Sequence, residues 1–237
     1  MQKLPLEFPG NVAICGATMS GKTHLTKRIM REHLLPKFDY IVILSPTVDL
    51  SGDWDEFKVT LKNHDPTPGD PVIYKASKNF QKTISELVEG NTRLKEDKNV
   101  PRKEIPNIAL ILDDMVGHPL LKFGGYIDKL STKSRHLNIS IFILSQRISA
   151  VPRTFRLNCK YTILFAITNF SELERFIDEC VPKKYRKVLP MKIPDIYNVP
   201  YSFVLCHNFA TKISERMYVN GITPIQEYLE NDYHRYS

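Results

Sequence analysis

Long hydrophobic runs are missing from this chain. Nowhere in its 237 residues do apolar side chains approach the roughly 18 in succession that a membrane-spanning helix needs. The opening Met1-Gln2-Lys3-Leu4-Pro5 has no apolar core of the kind a secretory signal carries, so neither export nor membrane attachment is expected. Cysteine is sparse as well. Cys15, Cys159, Cys180 and Cys206 are scattered and form no C-x-x-C pair, which argues against a metal knot or disulfide framework and for free thiols in a reducing compartment. Internal repeats, low-complexity tracts and a second domain boundary are also absent. Finally, Asp and Glu are absent from residues 129–160, which hold seven basic residues: Lys129, Lys133, Arg135, Arg147, Arg153, Arg156 and Lys160. Subtracting these seven from 33 Lys and Arg leaves 26, matching 26 Asp and Glu, so one segment carries the whole +7 excess. Such an excess suits a polyanion, either a triphosphate or a nucleic-acid backbone, or it is a solvated basic surface with no partner.

What is present points to one α/β domain. A hydrophobic content of 42% and 25% charged residues allow a sizeable core. Residues 12–15, 40–44, 108–112, 139–144 and 161–167 are nearly continuous in apolar types, as buried parallel strands are, and residues 71–74 add a short one. Helical patterns fall at 25–34, 81–98, 120–133 and 172–180. Residues 49–70 and 99–106 read as loop, 201–206 and 215–219 as a late hairpin, and 228–237 as a fraying helix end. This alternation predicts a doubly wound, mostly parallel sheet with helices on both faces, with a core over about 11–170 and an extension over 171–237.

The first apolar strand runs into Gly16-Ala17-Thr18-Met19-Ser20-Gly21-Lys22-Thr23, which fits G-x-x-x-x-G-K-[ST]. Between a strand and a helix, such a loop wraps a phosphate with its backbone N–H groups at the positive end of the helix dipole. Lys22 is then expected to reach the terminal phosphates and the Thr23 hydroxyl to take one position on Mg²⁺, making the chain a binder of a nucleoside triphosphate. A second strand ends in Asp113-Asp114, at the strand end where ligands of open α/β sheets sit. Asp113 is assigned to Mg²⁺ through a bound water and Asp114 to the attacking water; the plainer alternative is a pair capping the next helix. A third strand ends in Ser145-Gln146-Arg147, where Gln146 can sense the γ-phosphate or the attacking water. Arg135 precedes that strand, at the end away from the subunit's own nucleotide, from where it can act in trans on a neighbour's; Arg147, Arg153 and Arg156 are rivals for that role.

Together the phosphate loop, the Asp113-Asp114 strand, residues 134–147 and the segment Phe38-Asp39-Tyr40-Ile41-Val42-Ile43-Leu44-Ser45-Pro46-Thr47 resemble the FtsK–HerA superfamily of DNA-pumping P-loop ATPases. The branch most alike is the genome-packaging ATPase of poxviruses, other large DNA viruses and virophages. The resemblance implies a RecA/FtsK-like fold, ATP and Mg²⁺ as cofactors, and roles in catalysis for Lys22, Asp114, Gln146 and, in trans, Arg135. Many relatives have Glu where Asp114 stands, a difference of one methylene that bears on rate. It further implies sequence-independent double-stranded DNA as partner, a homo-oligomeric ring of six or five subunits, and a capsid or portal protein. The implied location is the host cytoplasm, a viral assembly site or the virion. Two other readings stay open: a P-loop nucleoside or small-molecule kinase with residues 183–187 as a cationic lid, and a nucleotide-gated adaptor that does not pump.

Overall fold

The computed structural model describes residues 3–50, 52–55 and 72–233; most of the segment expected as loop at 49–70, Pro71 and the end of the tail lie outside them. Each apolar run forms a strand. β1 (Asn11–Cys15), β2 (Tyr40–Leu44), β3 (Val72–Ala76), β4 (Ile108–Asp113), β5 (Ile139–Ser145) and β6 (Cys159–Phe165) lie parallel. β7 (Phe203–His207), β8 (Met217–Val219) and β9 (Thr223–Pro224) extend the sheet antiparallel, in the order β3-β2-β4-β5-β1-β6-β7-β8-β9. The late pair is the expected hairpin.

The crossovers are α1 (Lys22–Ile29), α2 (Phe80–Glu96), α3 (Tyr126–Ser131) and α4 (Arg153–Leu157); α5 (Phe170–Cys180), α6 (Leu189–Tyr197) and α7 (Ile225–Tyr233) follow. Strand alternation sends side chains to two separate cores. Val12, Ile14, Ile41, Ile43, Phe142 and Leu144 face Leu25 and Ile29 of α1, with Met30 and Leu34 of the π turn that continues it. Ala13, Cys15, Val42, Leu44, Ile141 and Ile143 face α2 through Ile84, α3 through Ile127, α5 through Phe176 and α6 through Ile193. Burial on both faces explains why β1 and β5 read as nearly continuous apolar runs. Each fully buried Ile, Leu or Phe contributes about 1.5–3 kcal/mol.

Several elements differ from expectation, among them α4, which falls where no helix was expected. The helix predicted over 120–133 is broken: a 3₁₀ turn (Pro119–Leu121) gives way to Gly124 at φ +69° before α3 begins. The last parallel strand sits two residues earlier than its apolar run. α6 was not among the expected helices; it carries Pro190 in its opening turn, where the missing N–H is no loss, and Pro194 inside it.

Arg156 is a further correction. It is one of the rivals for the trans role, yet it is buried, and its guanidinium meets the Glu179 carboxylate at 2.5 and 2.7 Å while donating to the carbonyls of Ile148 and Val151. It joins α4 to α5 and is unavailable to DNA or to a neighbour's nucleotide.

Candidate active site

β1 ends against its two neighbours, and the loop starts there. The Gly16 N–H donates to Ser145 O and the Ala17 N–H to Ala166 O, so the end of β5 and the segment after β6 fix the loop's mouth. A side chain at Gly16 would lie 2.5 Å from the Phe165 Cβ, and Gly21 has φ +102° at the N-cap of α1, so only glycine fits both places. No side chain caps α1, which leaves its first N–H groups free for an anion. Ser20 Oγ is buried without a hydrogen-bond partner among the described residues. Lys22 folds back, donating to Gly16 O at 2.8 Å and Ala17 O at 2.7 Å. Burial lowers its pKa, against the raising influence of Asp113, Cys15 and Asp114. A phosphate therefore finds, among the described residues, uncapped N–H groups, an unpartnered hydroxyl and an ammonium held by two backbone carbonyls.

A cavity of about 330 Å³ opens over the loop, lined among others by Thr18, Lys22, Thr23, Asp113, Asp114 and Gln146. The alignment of β4 with β5 brings the carboxylates to it, since Asp113 pairs with Leu144. Asp114 has φ +52°, a turn that carries its side chain back beside Asp113, where Gln146 Nε2 donates to its Oδ1 at 3.3 Å. The pair caps no helix: the following 3₁₀ turn is capped by His118. Trp54 Nε1 donates to Asp113 Oδ2 at 2.9 Å. Burial pushes the Asp113 carboxyl up, the Trp54 hydrogen bond pulls it down, Asp114 pushes it up again and Lys22 lowers it.

Among the described residues no cluster of three His, Cys, Asp or Glu side chains can hold a metal unaided. The set at hand, the Thr23 hydroxyl with carboxylates, is all hard oxygen and fits Mg²⁺ completed by phosphate oxygens and water. Trp54, Asp53 and Thr47, which line or brace the cavity, were not singled out from sequence as site residues. Trp54 and Asp53 come from a segment whose composition says only loop.

Arg135 is exposed in the turn before β5. The seven residues of β5 separate it from the loop by ~20 Å, and it lines a different cleft with Asn11 and Lys160. Its turn is anchored: Ser134 Oγ donates to Asn11 Oδ1, and Asn91 Nδ2 to Leu137 O. Arg147 and Arg153 are exposed and do not line the cavity. Residues 183–187 do not line it either, which leaves the cationic lid of a kinase without support.

A parallel sheet whose central strand feeds a phosphate loop, beside a strand tipped with paired carboxylates, defines a P-loop nucleoside triphosphatase. Residues 2–192 match the family described as poxvirus A32 protein, and the chain belongs to that family. No curated protein matches it. Among solved structures it is similar to the genome packaging NTPase B204 of Sulfolobus turreted icosahedral virus 2 in complex with ATP-gammaS, at 15% identity and TM-score 0.60 over 89% of this chain and 96% of that one. It is also similar to ATPases 2 and 3 of EssC from Geobacillus thermodenitrificans, at 15% identity and TM-score 0.54 over 95% of this chain and 43% of that one.

Proposed function

We propose that this protein hydrolyses ATP to drive double-stranded DNA, as a viral genome-packaging motor. The observation that carries the reading is the convergence of Lys22, Asp113, Asp114 and Gln146 on one cavity at the carboxyl ends of β1, β4 and β5. B204, which shares the fold, is a genome packaging NTPase, and membership of the poxvirus A32 family points the same way. The uncapped start of α1 and the loop N–H groups receive the phosphates, and the Lys22 ammonium turns from its two carbonyls to the terminal phosphates. The Thr23 hydroxyl, and Asp113 through a bound water, would hold Mg²⁺, which would supply positive charge against the phosphates. Asp114 orients the attacking water and accepts its proton; Gln146, already bonded to Asp114, reads whether the γ-phosphate is present.

Arg135 lies at the far end of the sheet, so its catalytic role requires a neighbouring subunit, and with it a ring of six or five. Packaging must accept any sequence, so DNA contacts go to phosphates, through exposed cations such as Lys129, Lys133 and Arg153. A capsid or portal protein is the docking partner, and the place of action is the assembly site in the host cytoplasm or the virion. No helix among the described residues is long and apolar enough to cross a membrane.

The test is product analysis with radiolabelled ATP. The proposal expects free phosphate, with turnover reduced at least about 100-fold in Asp114→Asn and ATP binding retained, because an acid–base residue is worth about 10²–10⁴. Transfer of label to a nucleoside, or full turnover in Asp114→Asn, contradicts it.

A further inference from the structure

A phosphate loop has a direction. Its lysine reaches the β- and γ-phosphates while its N–H groups hold α and β. The γ end therefore faces Asp113, Asp114 and Gln146, and the α-phosphate, with the sugar and base attached to it, lies at the start of α1. From that start a second groove of about 520 Å³ runs off, and Gly21 and His24 line both it and the phosphate cavity. The groove lies between α1, through Leu25 and Arg28, and the strand ends that supply Phe165, Tyr201 and Phe203. Phe165 and Phe203 pack ring against ring at 5.2 Å and are buried, forming an apolar floor.

Tyr201 is the anomaly. It is 72% exposed and its φ of +63° is one that non-glycine residues seldom adopt, so the chain holds an aromatic ring in an unfavourable backbone state. The ring leans over the phosphate loop: its Cδ1 lies 3.2 Å from where a Cβ on Gly21 would stand. An uncovered aromatic face beside an apolar floor, one step from the α-phosphate, suits a flat aromatic ligand.

We propose that the nucleobase of the bound triphosphate occupies this groove and stacks on Tyr201. This assignment rests on the phosphate-loop reading. Stacking uses the π-face every base has, so Tyr201 contributes affinity without choosing among purines.

Calorimetric titration of the full chain with Mg·ATP, Mg·GTP and Mg·tripolyphosphate tests it, comparing wild type, Tyr201→Phe and Tyr201→Ala. Removing the ring is expected to weaken ATP and GTP alike by about tenfold or more, within the range typical of base–aromatic stacking. Tripolyphosphate, which has no base, should bind all three proteins equally, and Tyr201→Phe should match wild type. The exposed position makes both variants safe for folding. Equal loss of ATP and tripolyphosphate would mean that Tyr201 only shapes the loop through Gly21 and would overturn the proposal, as would unaltered ATP binding by Tyr201→Ala. Wild-type protein that binds neither ATP nor tripolyphosphate would overturn the phosphate-loop reading itself.

Discussion

Trp54→Phe removes one hydrogen bond, from Nε1–H to Asp113 Oδ2 at 2.9 Å, and keeps an aromatic ring where only 1% of the residue is exposed. In the metal-holding role proposed for it, Asp113 must be ionised. Burial pushes its carboxyl up and the indole is the largest influence pulling it back. Losing the indole therefore raises it further, so activity disappears at a higher pH as the solution is acidified. A hydrogen bond to a charged acceptor is worth about 1.5–3 kcal/mol. At 1.4 kcal/mol per factor of ten, that is about 10- to 150-fold in the population of the competent state. Water entering from the open cavity can replace part of the bond, which places the expected effect at the lower end, about tenfold. The assay is steady-state turnover against Mg²⁺ concentration at several pH values. On the acid limb, where the carboxylate is being protonated, the variant should need up to about tenfold more Mg²⁺ for half-maximal rate, and that limb should lie at higher pH than in the wild type. An unchanged Mg²⁺ requirement and acid limb, in a variant that melts like wild type, would refute this account of Trp54.

Glu179→Ala leaves the buried Arg156 guanidinium without its carboxylate, a change that costs about 3–5 kcal/mol. For a chain of this length the melting temperature should fall by at least ~6 °C in calorimetry, and an unchanged melting temperature would show the pair to be dispensable. Arg135→Ala should lower turnover by about 10³-fold or more if its guanidinium serves a neighbour. Mixed with Lys22→Ala subunits it should regain activity, because those supply the arginine while Arg135→Ala subunits supply the nucleotide site. No recovery on mixing, with assembly verified, would remove Arg135 from the trans role.

The parts of the site written contiguously were the parts legible in sequence. β1, the loop and Lys22 form one uninterrupted stretch, and Asp113-Asp114 and Gln146 follow strands whose burial on both faces makes them unmistakably apolar. The features contributed from far along the chain were not legible. Trp54 reaches Asp113 across 59 positions, and Tyr201 reaches Gly21 from the turn before β7; neither has a local pattern that announces it. Arg156 looked like any other member of a basic run because its partner, Glu179, lies 23 residues away. Apolar spacing misled at one place, where Gly124-Gly125 cuts a helix that the spacing had joined.

The central claim is that ATP hydrolysis at the Lys22 loop is coupled to DNA through phosphate contacts. The most direct measurement is phosphate release by the purified protein, with and without double-stranded DNA of several sequences, across a series of salt concentrations and beside Lys22→Ala. Turnover should rise with DNA irrespective of its sequence, lose that stimulation steeply as salt increases, and vanish in Lys22→Ala. Turnover indifferent to DNA at every salt concentration, or surviving in Lys22→Ala, would contradict the account.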